Sequence, residues 1–167
     1  MNEEVLKYGL LALAYLLGSI PFSIILGKKI KGIDIREHGS GNPGGTNSLR
    51  FLGMRVGLWV VFLDALKAAI IPLLIVWGVL EGGQLLHPLA YGVAAAVGHV
   101  YSIYIKFKGG KAVAATVGMM IAFNLVYAFI MMCVFFLVLK IWKYVSVSST
   151  TSVLAAVIIG LAVQDWD

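Results

Sequence analysis

Residues 39–50 carry the residue types best suited to binding an anion; they read GSGNPGGTNSLR. Glycine allows the backbone to take positive φ angles and to approach a ligand closely, and successive exposed N–H groups then form a nest for an anion. Hydroxyl and amide side chains add donors, and Arg50 adds a two-pronged donor for phosphate or carboxylate. A flexible linker is the alternative, but a linker needs none of these donors. We therefore expect a phosphate-binding loop, whose candidate residues are Gly39, Ser40, Gly41, Asn42, Gly44, Thr46, Asn47 and Arg50.

A second stretch rich in donors lies at residues 107–111, which read FKGGK. Two glycines between lysines predict a tight cationic turn, and the residues from Ala112 onward predict a helix whose N-terminus adds its dipole to the lysine charge. An ordinary basic loop beside a membrane and a patch for anionic lipid headgroups are the alternatives. The candidate residues here are Lys108, Gly109, Gly110 and Lys111.

The elements that must position these turns are apolar helices. The 167-residue chain is 60% hydrophobic, and its mean hydropathy of +0.95 is far above that of a soluble domain. We predict an all-α, polytopic transmembrane helix bundle that forms a single domain over residues 1–167. The net charge of +5 bears on membrane orientation, because the chain lacks the soluble basic face that nucleic acid binding requires.

The apolar runs predict about six spans. They lie at residues 5–26, 56–80, 88–105, at two short crossings within 112–139 that turn near Asn124, and at 153–163. A single helix over 112–139 is the alternative, but it is long for a bilayer core that needs about 20 residues. Basic residues gather within 28–55, 106–111 and 140–150, so we expect these three segments on the cytoplasmic side. The N-terminus, residues 81–84 and residues 164–167 then lie outside.

Other kinds of site find little support. Cys133 is the only cysteine, and no cluster of metal-ligating residues is apparent, so we expect no metal and no cofactor. None of the three histidines is followed by an aspartate after four intervening residues, so the His-x₄-Asp dyad of common membrane acyltransferases is absent. Asp64 and Lys67 share one face of the second span, either as a helix-stabilising pair or as support for the site. Many phosphate-binding groups without a general base suit a reaction that uses an activated donor.

Four segments of the chain together resemble the bacterial acyl-phosphate-dependent glycerol-3-phosphate 1-acyltransferases. They are residues 39–50, the pair Gly98 and His99, residues 107–111, and residues 144–149, which read YVSVSS; Asp64-Ala-Leu-Lys67 also matches the family pattern. The resemblance implies an inner-membrane enzyme whose active site is on the cytoplasmic side. Such an enzyme transfers a fatty acyl group from acyl phosphate to the 1-hydroxyl of glycerol 3-phosphate and makes lysophosphatidate. The acyl chain would lie among the helices, surrounded by membrane lipid.

The resemblance also implies roles for individual residues. Residues 40–47 would cradle the phosphate of acyl phosphate, and Arg50 with Lys108 or Lys111 would hold glycerol 3-phosphate. His99, Ser146 and Ser149 would line the substrate site. In the mechanism proposed for the family, the phosphate of the donor takes the proton of the hydroxyl, which agrees with the missing base.

The chain departs from the family pattern at several positions. Gly45, Ala68, Ser102 and Ala112 stand where the family usually has Ala, Gly, Pro and Gly respectively. The family also has a seventh span with a His- and Asn-containing motif, for which the printed sequence has no counterpart. That difference has three possible explanations: the chain is truncated, another subunit supplies the residues, or activity is weakened or lost. A transporter of phosphorylated solutes and a non-catalytic phosphate-binding paralogue are the alternative functions, although a transporter needs polar residues along a route through the membrane.

Overall fold

The computed structural model describes residues 3–80 and 85–163, and every regular element within these two ranges is a helix. The chain forms two compact units, residues 1–123 and residues 124–167. The predicted outside segments 81–84 and 164–167 lie outside the described residues. The all-α class is confirmed, whereas the single domain over residues 1–167 stays a prediction.

The described residues of the first unit form six α-helices, three of which are α1 (Glu3–Gly18), α2 (Phe22–Leu26) and α3 (Gly45–Phe51). The other three are α4 (Met54–Val76), α5 (Pro88–Val100) and α6 (Val113–Phe123). A π-helical turn at Gly27–Lys31 extends α2, and single 3-10 turns occur at Ile35–Glu37 and Ile103–Ile105. α1 and α2 are separated at residues 19–21, because Pro21 has no N–H to continue a helical hydrogen-bond ladder.

Small residues bring the helices of the first unit close together. A Cβ placed on Gly18 of α1 would collide with the backbone of Ala95 in α5. A Cβ on Gly118 of α6 would likewise collide with the backbone of Ala65 in α4. Helices in membranes gain packing contacts by such close approach, because lipid gives them little hydrophobic incentive to associate. These contacts fix α4 and α5, which carry the buried charged residues described below.

The second unit consists of α7 (Leu125–Trp142) and α8 (Val145–Val163). The side-chain Oδ1 atom of Asn124 accepts hydrogen bonds from the backbone N–H groups of Val126 and Tyr127, at 2.9 and 3.3 Å. This cap satisfies N–H groups that have no partner within the helix. The predicted break near Asn124 is therefore confirmed.

Four helical segments are long and apolar enough to cross a membrane within the described residues: Glu4–Lys31, Met54–Val76, Pro88–Ile105 and Leu125–Trp142. α6 and the segment Val145–Ile159 are shorter apolar helices. The multi-pass membrane character is confirmed by these spans together with the structural relatives described below. The count of six spans and the external N-terminus stay predictions.

Candidate functional site

Asn47 braces the first loop from within. Its side chain is buried, and its Nδ2 donates hydrogen bonds to the carbonyl oxygens of Ile35 and His38 at 3.2 and 2.9 Å. Its Oδ1 accepts a hydrogen bond from the backbone N–H of Ser40 at 3.3 Å. The side-chain amide of this candidate phosphate-binding residue is thus occupied by hydrogen bonds within the loop. Its contacts favour a role in shaping the loop over direct contact with a substrate.

The loop is also tied to the helices on either side of it. The hydroxyl of Ser23 in α2 donates to the carbonyl oxygen of Pro43 at 2.8 Å, and the hydroxyl of Ser48 donates to that of Gly44 at 3.0 Å. Gly39 and Gly41 take φ angles of 59° and 69°, which other residues adopt only with strain. Local bonds and glycine conformations therefore set the shape of this loop.

The side chains left at the surface of the loop are those suited to binding an anion. Ser40, Thr46 and Arg50 are exposed, and Asn42 is half-buried. Among the described residues Arg50 has no ion-pair partner. A guanidinium without a carboxylate partner keeps its donors available to an anionic ligand.

Asp34 organises the charged residues that precede the loop. Its carboxylate lies 2.6 Å from Nη2 of Arg36 and 3.2 Å from Nζ of Lys28, and it accepts a hydrogen bond from the backbone N–H of Arg36. These bonds favour the charged carboxylate, so they hold the pKa of Asp34 well below its ordinary value. The Asp34 carbonyl oxygen lies 3.0 Å from Nδ1 of His38. Asp34 thereby stabilises the turn against which Asn47 makes its hydrogen bonds.

The second loop folds back onto the end of α5. The backbone N–H of Gly109 donates to the carbonyl oxygen of Val100 at 2.9 Å, and that of Gly110 donates to His99 at 3.0 Å. Lys108 and Lys111, which flank the two glycines, are exposed. These hydrogen bonds to the end of α5 therefore fix the backbone position from which the two lysine side chains extend.

Unusual backbone angles cluster in this second loop. Lys106, Phe107 and Ala112 have φ angles of 55°, 61° and 55°. Among the described residues only one other non-glycine residue, Lys143, has a positive φ. Such conformations persist only where surrounding contacts enforce them, and they are common at functional sites. The concentration of strain supports the choice of this loop as part of a site.

The two loops meet at a small cleft. The first loop contributes Pro43 to its lining, and the second loop contributes Gly109 and Gly110. The remaining lining residues come from the break after α1, from α4 and from the end of α5; they are Ser19, Ile20, Pro21, Lys67, His99, Ser102 and Ile105. The fold thus brings together the two loops that the sequence analysis selected. His99, a predicted substrate-binding residue, lies in the wall of the same cleft.

Buried ionisable residues lie in the wall of the cleft and directly behind it. Lys67 Nζ is 2.8 Å from Oδ1 of Asp64 and donates a hydrogen bond to the carbonyl oxygen of Ile20 at 2.8 Å. Nδ1 of His99 lies 3.5 Å from the same oxygen of Asp64. A search for histidine and aspartate at short sequence spacing could not find this contact, because the two residues lie on different helices. The sequence feature that pointed to this cluster was the presence of Asp64 and Lys67 within an apolar span.

The third predicted segment belongs to the second unit. Ser146 is exposed, and the hydroxyl of Ser149 donates a hydrogen bond to the carbonyl oxygen of Ser146 at 3.0 Å. Both side chains lie in the first two turns of α8. Their proposed role in lining the substrate site stays a prediction.

Comparison with known proteins identifies the family. The family model described as "Glycerol-3-phosphate acyltransferase" matches residues 8–165. The chain belongs to this family. The resemblance noted in the sequence is therefore confirmed, and this acyltransferase can be compared with individual relatives.

Curated relatives from bacilli are similar over most of the acyltransferase. Glycerol-3-phosphate acyltransferase 3 of Bacillus anthracis is 46% identical over 164 residues, which cover 96% of the chain and 79% of the relative. The glycerol-3-phosphate acyltransferase of Geobacillus kaustophilus is 47% identical over 152 residues, which cover 89% of the chain and 74% of the relative. The chain thus spans about three quarters or more of the length of these relatives.

Solved structures of PlsY (YgiH), an integral membrane glycerol 3-phosphate acyltransferase, have the same fold. The glycerol 3-phosphate form superposes with a TM-score of 0.84 at 36% identity, covering 93% of the chain and 76% of PlsY. The lysophosphatidic acid form gives a TM-score of 0.83 at the same identity and coverage. These forms of PlsY contain the acceptor and the product expected from acylation of glycerol 3-phosphate.

Proposed function

We propose that the chain transfers a fatty acyl group from acyl phosphate to the 1-hydroxyl of glycerol 3-phosphate, which gives lysophosphatidate and inorganic phosphate. The reaction is placed at the cytoplasmic face of the bacterial inner membrane, where the basic segments are expected. The observation that carries this proposal is the cleft shared by Pro43 and by Gly109 and Gly110. Both loops border this cleft, which suits a reaction between two phosphorylated substrates if each loop binds one phosphate.

The exposed donors divide between the two substrates. The first loop holds the phosphate of acyl phosphate through its backbone and side chains, from residues Gly39, Ser40, Gly41, Asn42, Gly44 and Thr46, with Asn47 as the brace. Arg50, Lys108 and Lys111 neutralise the phosphate of glycerol 3-phosphate. His99 contributes to the wall of the acceptor site. Ser146 and Ser149, near the start of α8, are proposed as further substrate-binding residues.

The proposed step needs no enzyme base. The acceptor hydroxyl oxygen attacks the acyl carbonyl carbon, a new C–O ester bond forms, and the C–O bond to the phosphate breaks. The departing phosphate takes the hydroxyl proton. The protein contributes alignment of the two substrates and fixed positive charge near the leaving phosphate, and both effects lower the barrier.

The test is acyl transfer by the full-length purified protein in lipid nanodiscs. Acyl phosphate and glycerol 3-phosphate are supplied, and lysophosphatidate and released phosphate are measured, with acyl thioester as a comparison donor. We expect product from acyl phosphate, and we expect Arg50→Ala to lower kcat/KM for glycerol 3-phosphate by about 100-fold, because a charge-assisted phosphate contact is lost.

Arg55→Ala is the matched control, because Arg55 is another exposed arginine close in sequence, on α4. It should leave kcat/KM unchanged. The proposed function fails if the unaltered protein makes no lysophosphatidate. The assignment of Arg50 fails if the two arginine variants behave alike.

A further inference from the structure

Three ionisable residues are buried together at the cleft: Lys67 and His99 lie in its wall, and Asp64 lies behind them. The side chains of Asp64, Lys67 and His99 are only 2%, 4% and 7% exposed. Charged groups at such depth in an apolar helix bundle are expensive to keep, and in membrane proteins they usually face one another and mark a functional region. Here they join α4 to the end of α5.

The carboxylate of Asp64 is the least satisfied group of the three. Within the described residues neither of its oxygens receives a hydrogen bond of good geometry, although both are buried. Its partners are the ammonium of Lys67 at 2.8 Å and Nδ1 of His99 at 3.5 Å, both at Oδ1. The carboxylate is therefore held mainly by charge, and its field acts on the two groups nearest to it.

The second loop rests directly on His99. The carbonyl oxygen of His99 accepts the hydrogen bond from Gly110, and a Cβ on Gly109 would collide with that oxygen. A Cβ on Gly110 would collide with Nε2 of the His99 ring. The imidazole therefore has Asp64 at its Nδ1 and the glycine turn at its Nε2. A change in ring orientation would move the turn between Lys108 and Lys111.

Lys67 extends the same network to the opposite wall of the cleft. Its Nζ donates to the carbonyl oxygen of Ile20, a backbone group left without a helical partner at the break after α1. The neighbouring carbonyl, that of Ser19, accepts a hydrogen bond from the hydroxyl of Ser102 at 2.5 Å. Both walls of the cleft are thus tied to a single buried ion pair on α4.

We propose that Asp64 and Lys67 are positioning residues for acyl transfer, which orient His99 and through it the turn that carries Lys108 and Lys111. This inference rests on the proposed function. It assigns a supporting role to buried residues, in addition to the exposed residues proposed to contact the substrates. Asp64 orients the imidazole of His99 through the contact with Nδ1. Lys67 fixes the break after α1 by its hydrogen bond to the carbonyl oxygen of Ile20. Loss of the network shifts the lysines relative to the first loop, which weakens binding of glycerol 3-phosphate more than it changes the chemical step.

The first experiment removes the buried charges in two ways. Asp64→Asn keeps the shape but leaves Lys67 buried without its partner, so this variant is expected to lose stability as well as activity. The double variant Asp64→Asn with Lys67→Met removes both charges together and is expected to stay folded. We expect the double variant to raise KM for glycerol 3-phosphate about 10- to 100-fold while kcat changes less, because small misplacement of binding groups has effects of that size.

The matched control is Glu4→Gln on α1. Glu4 and Lys7 form an acid–lysine pair with the same three-residue spacing, at 2.7 Å, but the Glu4 side chain is 51% exposed. This variant should keep the kinetic constants of the unaltered protein. The inference is overturned if the double variant is folded and also keeps them.

The second experiment asks which ring nitrogen of His99 matters. Asn places its amide near the position of Nδ1 and can still donate to Asp64, whereas Gln places its amide near the position of Nε2. His99→Asn should therefore retain at least about tenfold more kcat/KM than His99→Gln, a difference that a general loss of stability does not produce. Equal activities, or the reverse order, overturn the orientation by Asp64.

The two proposals fail in different ways. If the unaltered protein makes no lysophosphatidate from acyl phosphate and glycerol 3-phosphate, the proposed function fails. If the unaltered protein is active and the double variant retains its KM, only the positioning network fails. Thermal midpoints measured on every variant separate loss of fold from loss of position.

Discussion

The two loops at the cleft reach their shapes by different physical means. The first loop uses glycine at its positive φ angles and a buried side chain, Asn47, as an internal brace. The second loop places non-glycine residues at positive φ and is held by backbone hydrogen bonds to the end of α5. The first loop is therefore determined mostly by residues close in sequence. The conformation of the second loop depends on where α5 ends and on the contact between His99 and Asp64.

The difference has an energetic consequence. A left-handed conformation costs an L-residue about 1–2 kcal/mol, and three such residues lie in the second loop or directly beside it. Contacts with the rest of the fold must offset that strain. We expect the second loop to lose function when its contact with α5 is disturbed, and the first to lose function when its brace is removed.

The largest expected effect comes from Gly109→Ala in the second loop. The new methyl group would collide with the backbone oxygens of His99 and Val100, which cannot move aside as a side-chain tip can. We expect a loss of about 3 kcal/mol of unfolding free energy, and about 100-fold lower kcat/KM because the loop is displaced. Thermal unfolding in detergent and acyl transfer measure the two effects. Gly9→Ala, at a helical glycine with open space around it, is the control; it should leave kcat/KM unchanged and raise the free energy of unfolding by about 1 kcal/mol or less.

The corresponding change in the first loop is Asn47→Ala. It removes three hydrogen bonds and leaves the carbonyl oxygens of Ile35 and His38 without this partner. We expect a loss of about 2 kcal/mol of unfolding free energy, since each such bond contributes about 1 kcal/mol and some groups will find water. Thermal unfolding is the measurement, with Thr46→Ala at the exposed neighbour as the control. Equal midpoints for the two variants would show that the brace is not what holds the loop.

A smaller effect is expected at Asp34, which supports the turn next to the first loop. The pKa of Asp34 is lowered in the folded protein, so the carboxylate stabilises the fold above its unfolded pKa of about 4. That contribution is lost progressively as the pH falls from about 4 toward the folded pKa. Its size is about 1 kcal/mol or less, because Arg36 and Lys28 are substantially exposed.

The measurement is the difference in thermal midpoint between the unaltered protein and Asp34→Asn across pH. It should be constant from about pH 7 to pH 5 and shrink below about pH 4. Glu37→Gln, which neutralises an exposed acid in the same turn, is the control for net charge. A difference that grows as the pH falls would contradict the sign derived for Asp34.

The smallest expected effect is that of Ala112→Gly at the end of the second loop. Glycine relieves about 1–2 kcal/mol of strain at a φ of 55°. It also removes a buried methyl group worth about 0.8 kcal/mol and raises the entropy of the unfolded chain by about 0.4–1 kcal/mol. The three terms nearly cancel, so the thermal midpoint should stay almost unchanged. A large loss of stability would mean that packing of the methyl group, and not backbone strain, dominates at this position.

Several departures from the family pattern have a structural explanation. Ser102 donates a hydrogen bond to the carbonyl oxygen of Ser19, and proline at that position would have no donor. Ala68 is fully buried beside Ala95 and Ala115, where its methyl group fills space between helices. Gly45 lies against Val61, so a methyl group there would require that side chain to move. None of these contacts is apparent from the residues alone.

The apolar runs predicted the main helices closely. The second predicted span, residues 56–80, corresponds to α4 at Met54–Val76, and the third, residues 88–105, corresponds to α5 with its following 3-10 turn. The helix break at Asn124 was also predictable, because a lone polar residue with cap chemistry interrupts an apolar run. These features depend on local hydrophobicity and on local hydrogen bonding.

By itself, the sequence determined the membrane class, most of the helices, the two loops proposed to bind anions and the family to which the chain belongs. Those properties follow from local composition and from short motifs whose chemistry does not depend on distant residues. Only the tertiary structure decided that the two loops share a cleft, that Asn47 faces inward, and that Asp64 lies next to His99. These relationships depend on how closely α4, α5 and the break after α1 pack, and that packing is set by side-chain volumes summed over several helices.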